Sequence, residues 1–246
     1  MSDQSLVSTA EAIPYRVRVS KRARRLQLHI TPHCEVEVVL PQGMSPSRVA
    51  PFVAHHRAWI LRTRARQMAA LAPAAVEQGV PRRIHFAAVG AHWFVDQQSA
   101  PSGGRLLAQA AGNGGRLVLR SASEATARQL LQRWLSRQAR HHLVPWLMTV
   151  ADELGLGCRQ VTVRGQRSRW GSCSSRSTIS INRALLFLEP ALVRHLFIHE
   201  LCHTVHMNHS PRFWRLVERH SPRYRELEQA LNRAVAVIPR WALARD

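Results

Sequence analysis

The segment His199-Glu200-Leu201-Cys202-His203 constrains this chain more than any other. It lies in a run whose apolar residues, Leu192, Val193, Leu196, Phe197, Leu201 and Val205, recur at helical spacing. On such a helix His199 and His203 stand one turn apart on one face, so their ring nitrogens can converge on one ion. Glu200 sits beside them, placed to take a proton from a water activated by that ion without itself ligating. Ionisable groups on an apolar helix carry a desolvation cost, which points to use. The pattern is that of a zinc metalloprotease helix, and it predicts a zinc-dependent hydrolase acting on peptide bonds.

Catalytic zinc takes three protein ligands and keeps a fourth position open. His209 follows His203 by six residues and is reachable if the chain turns sharply at Met207-Asn208. Asn is among the few residues other than Gly that tolerate a left-handed turn. His206, Glu218 and Glu226 compete for the same role, the carboxylates as in enzymes whose next helix donates one. His209 holds the third-ligand place of the extended metzincin pattern. His206, however, stands where that pattern has glycine, and no methionine follows Met207 to form its Met-turn. Cys202 lies three residues past His199 and is a less natural ligand than His203.

The remaining chain reads as α+β. Alternation over residues 14–40 predicts three strands, and Ser45-Pro46 predicts a helix start, with Pro51 kinking or restarting the helix. Residues 73–79 read as a linker. Short strands follow at 84–89, 92–95, 105–108 and 116–119, and Ser121–Glu124 opens a long helix that Pro145 should kink or split. Strands at 161–163, 169–173 and 178–182 precede three helices, opened by Pro190, Ser210-Pro211 and Ser221-Pro222. The expected regions are 1–71 (β-strands plus helix), 80–120 (short strands) and 121–246, which carries the metal helix.

Lys and Arg number 35 against 15 acids, a net charge of +20, and Lys21 is the only lysine. Arginine in place of lysine is what codon bias produces, but codon bias does not explain so few acids. The excess favours polyanions. Lys21, Arg22, Arg24 and Arg25 crowd one connection between two strands and are the candidate nucleic-acid contact, with DNA as the candidate partner. No apolar run long enough to span a bilayer and no secretory signal is visible, and four scattered cysteines suit a reducing compartment. The expectation is a cytoplasmic protein.

Arg169-Trp170-Gly171-Ser172-Cys173, Ile181-Asn182, His199 to His203, Asn208-His209-Ser210 and Phe213-Trp214 together resemble the YgjP-like zinc metallopeptidases, relatives of the SprT-like proteins. Ser20 to Arg25, Pro41 and Trp59-Ile60 are similar to the same family. The resemblance implies a minimal zincin-type domain, with a short sheet packed on the metal helix, behind a β-rich N-terminal region. It implies zinc held by His199, His203 and His209, with Glu200 catalytic. Some SprT-like relatives act on proteins near DNA. A substrate chain in such enzymes pairs with an exposed strand edge through backbone bonds. Arg169, Trp170, Gly171 and Ser172 are the candidate substrate-binding residues, because small Gly171 and Ser172 let a peptide backbone approach. His206 and Arg167 are candidates to stabilise the oxyanion. The alternative function is a basic nucleic-acid-associated protein whose zinc is mainly structural, against which an intact Glu200 speaks.

Overall fold

The computed structural model describes residues 13–21, 23–30, 36–70, 79–166 and 169–243. The chain divides into two compact units at residues 74 and 75. In the first, β1 (Tyr15–Ser20), β2 (Gln27–Ile30) and β3 (Val36–Pro41) form a sheet in the order β1-β3-β2. The central strand β3 pairs parallel with β1 and antiparallel with β2. Its buried Val36, Val38 and Leu40 pack against Val49 and Val53 of α1 (Val49–His55) and Ile60 of α2 (Arg57–Ala70).

The helix expected from Ser45 onward is split, but not by Pro51. A 3-10 turn, Pro46–Arg48, comes first, with the Ser45 hydroxyl accepting from the Ser47 amide at 3.4 Å. Pro51 falls in the first turn of α1, where its missing N–H has no helical partner to lose. The break comes at His56, whose backbone leaves the helical range at φ −94°, ψ 9°.

The second unit opens on β4 (Arg83–Phe86), β5 (Ala91–Ser99), β6 (Gly104–Ala110) and β7 (Gly114–Ser121), a sheet in the order β4-β5-β7-β6. Only the β5–β7 pair is parallel. Ile84, Phe86, Trp93, Leu117 and Leu119 alternate inward and are buried. Against them lies α3 (Glu124–Leu154), capped by Ser123, whose hydroxyl accepts from the Thr126 amide, and ended by Gly155 in the left-handed region at φ 63°. Pro145 does not split it: α3 is one helix of 31 residues. An interior proline costs about 3 kcal/mol. Leu131, Leu135, Leu143 and Leu147 are fully buried on the other face of the same helix, each contributing roughly 1.5–3 kcal/mol. Pro145 and His141, whose carbonyl it leaves without its helical partner, both lie on the exposed side, where that carbonyl is open to solvent.

A smaller sheet follows: β8 (Gln160–Arg164), β9 (Gly171–Cys173) and β10 (Thr178–Asn182), in the order β8-β10-β9, with β9 antiparallel to β10 at one edge. The three closing helices are α4 (Pro190–Cys202), α5 (Pro211–His220) and α6 (Tyr224–Arg233). Ser210 caps α5 as expected. Ser221 does not cap α6, which starts only at Tyr224 with no side-chain cap. Both sheets and all four helices of this unit share one hydrophobic core, running from Phe86 and Trp93 through Trp134 to Ile181, Phe197 and Phe213. The class is α+β.

Candidate metal centre

Burial of Val193, Leu196, Phe197 and Leu201 fixes the rotation of α4, and with it the face that carries His199 and His203, whose ring centres lie 5.0 Å apart. The helix ends at Cys202. There the Thr204 hydroxyl donates to the Leu201 carbonyl, and the His206 carbonyl turns back to accept from His203 Nδ1 at 3.0 Å. That bond leaves His203 Nε2 to face outward. The turn through Met207-Asn208 then returns the chain, and His209 Nε2 comes to 3.2 Å from His199 Nε2. One ligand atom from each of the three histidines lies within 4.8 Å of the others, and among the described residues this is the one cluster of its kind. Phe213 stacks on His203 at 4.4 Å and Trp214 on His209 at 5.5 Å, so α5 walls the rings into place.

The donor set fits a metal. With metal–nitrogen bonds of about 2.0–2.1 Å, tetrahedral ligands lie roughly 3.3 Å apart, close to the His199–His209 separation. Burial first, then neighbouring histidines, lowers the pKa of His209 and, against its bond to the His206 carbonyl, that of His203. Both therefore favour the neutral, ligating form.

Glu200 is 4% exposed, and its Oε2 has no hydrogen-bond partner among the described residues. Burial raises its pKa to about 7, opposed by His199 and Arg169 and reinforced by Glu228. Its Oε1 lies under β9: a Cβ on Gly171 would stand 2.6 Å from it. Glycine is required there because the carboxylate occupies the space of a side chain. Ser172 follows on the same outer strand, opposite Ser180. Arg169 is exposed, whereas Trp170 turns inward and donates from Nε1 to the Leu231 carbonyl of α6 at 3.0 Å. Asn182 ties down the approach to this strand by donating from Nδ2 to the carbonyls of Gln166 and Arg169.

One residue of the site is absent from the sequence reading. Glu228 Oε1 lies 2.8 Å from His199 Nδ1 and 3.3 Å from His195 Nε2, and His195 Nδ1 meets the Ser221 hydroxyl at 3.0 Å. Burial pushes the Glu228 carboxyl up, but the hydrogen bonds from His195 and His199 outweigh it and hold the pKa at about 2. It is a carboxylate that fixes His199 with Nε2 free for a metal. The carboxylates weighed from sequence lie elsewhere. Glu226 pairs with Arg223 at 2.7 Å on the surface, and Glu218 is exposed on α5. The usable signal was Tyr224, Glu228 and Leu231, spaced four and three apart, which places Glu228 on the inner face of α6.

Residues 24–234 match the family described as "YgjP-like, metallopeptidase domain". The chain belongs to this family. It is thus a metal-dependent peptidase, with His199, His203 and His209 the cluster able to hold the metal. The chain is also similar to the metallopeptidase zymogen abylysin of Pyrococcus abyssi, with 30% identity over 36% of this chain and 90% of that one, at a TM-score of 0.34. No curated protein matches it.

Outside this centre, Lys21, Arg24 and Arg25 are exposed in the β1–β2 connection, and Arg22 and Arg167 lie outside the described residues. Glu37 of β3 pairs with Arg18 of β1 at 3.3 Å. The Cys202 thiol is buried and pushed by burial to about 12. Among the described residues, no helix is long and apolar enough to cross a membrane.

Proposed function

We propose that the chain is a zinc-dependent peptidase in which His199, His203 and His209 hold the ion and Glu200 is the general base. The observation that carries this reading is the buried, partnerless Oε2 of Glu200 next to three convergent imidazoles. A structural zinc site has no use for such a group. Three imidazoles with one position left open are a donor set for catalytic zinc. When bound, zinc lowers the pKa of water towards ~7 and polarises the scissile carbonyl. Glu200 takes the water proton and returns it to the leaving amine, and burial near neutral pKa suits it to both transfers. Glu228 holds His199 in the ligating tautomer. The outer strand β9, with Gly171 and Ser172 beside Glu200, offers backbone groups to an extended peptide, and exposed Arg169 stands at its start.

We assign the work to the cytoplasm, consistent with free Cys158, Cys173 and Cys202. DNA is the partner proposed for the exposed Lys21, Arg24 and Arg25 and the adjoining Arg22. The test of the catalytic reading is Glu200→Gln. It should retain zinc and fold while losing at least ~10²-fold in peptide hydrolysis. Full turnover in the metal-replete variant would remove Glu200 from the chemistry.

A further inference from the structure

The outward face of the four-stranded sheet has no part in the metal centre. One face of β4–β7 packs on α3; the other is open to solvent. Strand registers place its residues in rows. His85 of β4 stands opposite His92 of β5, the two rings stacked at 4.2 Å and 7°. In the next row Arg83, Phe94 and Arg116 stand side by side on β4, β5 and β7. Beyond it, Arg120 of β7 faces Arg105 of β6. Phe94 is 55% exposed, and the Arg83 guanidinium lies 5.6 Å from its ring centre.

Aromatic rings in the open on a sheet need a reason. Cross-strand pairing accounts for part of it, since stacked rings and an arginine over a ring steady a sheet. Pairing does not account for the charge. Four arginines share this face with a single acid, Asp96, whose carboxylate accepts from Gln98. The spacing is also informative. His92 and Phe94 are two residues apart on one strand, hence roughly 6–7 Å apart, about the step of an extended single strand of nucleic acid. Arginines flank the Phe94 ring on both sides, where phosphates of a stacked nucleotide would pass. A duplex would offer phosphates but no base faces, and would leave Phe94 and the histidine pair unused.

We infer that the outer face of the β4–β7 sheet binds single-stranded nucleic acid, with bases stacking on Phe94 and the His85–His92 pair and phosphates held by Arg83, Arg116, Arg105 and Arg120. This surface belongs to the second unit and the basic cluster at Lys21 to Arg25 to the first, and its occupancy does not depend on the metal site.

Fluorescence anisotropy on the full chain tests it, using a labelled 15-nucleotide oligo-dT, an oligo-U of equal length, and an abasic 15-mer with the same phosphates. The wild type should bind oligo-dT or oligo-U several-fold tighter than the abasic strand, with or without chelator, and the tighter of the two names the polymer. Phe94→Ala should weaken base-containing strands roughly 5- to 100-fold and leave the abasic strand unchanged. Arg116→Gln should flatten the slope of log affinity against log salt by about 0.7. Thermal unfolding of each variant separates lost binding from lost fold. Equal affinity for abasic and base-containing strands, or Phe94→Ala binding like the wild type, overturns the proposal. So does a loss confined to the variant in which Lys21, Arg22, Arg24 and Arg25 are all Gln, because it moves the contact to the other unit. Absence of binding at low salt overturns it as well.

Discussion

Glu200 and residue 171 compete for one space. With glycine at 171 the carboxylate lies against the strand, its Oε1 2.6 Å from where a Cβ would stand. Glu200 is buried and has little room to retreat, so Gly171→Ala should displace it while leaving the three histidines in place. A displacement near 1 Å in a catalytic group costs on the order of 10²-fold. The expected result is zinc content like the wild type and turnover lower by about that factor. Wild-type turnover would show that the carboxylate does not depend on this contact. The pairing of His199 with His203 was legible because a four-residue spacing on a helix has one geometric meaning. Glu228 was harder to find, because its only mark in the sequence is its helical spacing from Tyr224 and Leu231, a weaker signal than two paired histidines.

The elements show where local rules meet tertiary packing. Pro51 and Pro145 were both expected to disturb a helix. The first sits where a helix has no hydrogen bond to lose, and the second lies opposite a row of fully buried leucines that outweighs its cost. Ser221-Pro222 carries the signature of a helix start, yet the Ser221 hydroxyl is committed to His195, and α6 begins two residues later. That commitment links α4 and α6 through Ser221, His195, Glu228 and His199, so α6 serves the metal centre without supplying a ligand. Glu228→Gln keeps the volume but removes the charge. It should lower zinc affinity about 10- to 100-fold, read by competition with a chelating dye, without unfolding the protein. An affinity equal to the wild type would reduce Glu228 to a surface contact of His195.

At the scale of the whole molecule, α+β order was readable from the alternation of strand-like and helix-like segments. The sharing of one core by both sheets and all four helices of the second unit was not, because no single segment reveals which partner covers its apolar face. Metal and protons compete for the same imidazole nitrogens. Burial lowers the pKa of His203 and His209, so these rings stay neutral to lower pH than an ordinary histidine. Protons should therefore displace zinc from these two rings only at lower pH than from ordinary histidines, read as zinc affinity against pH. Affinity that already declines above neutral pH would show that the rings are not protected in this way. Zinc content per chain, in protein purified without added metal, reads the ligand set without an assay of activity. One zinc per chain is expected in the wild type and in His206→Ala, and a sharp loss in His209→Ala; a full site in His209→Ala, with Glu226→Ala emptied instead, would overturn the assignment of His209.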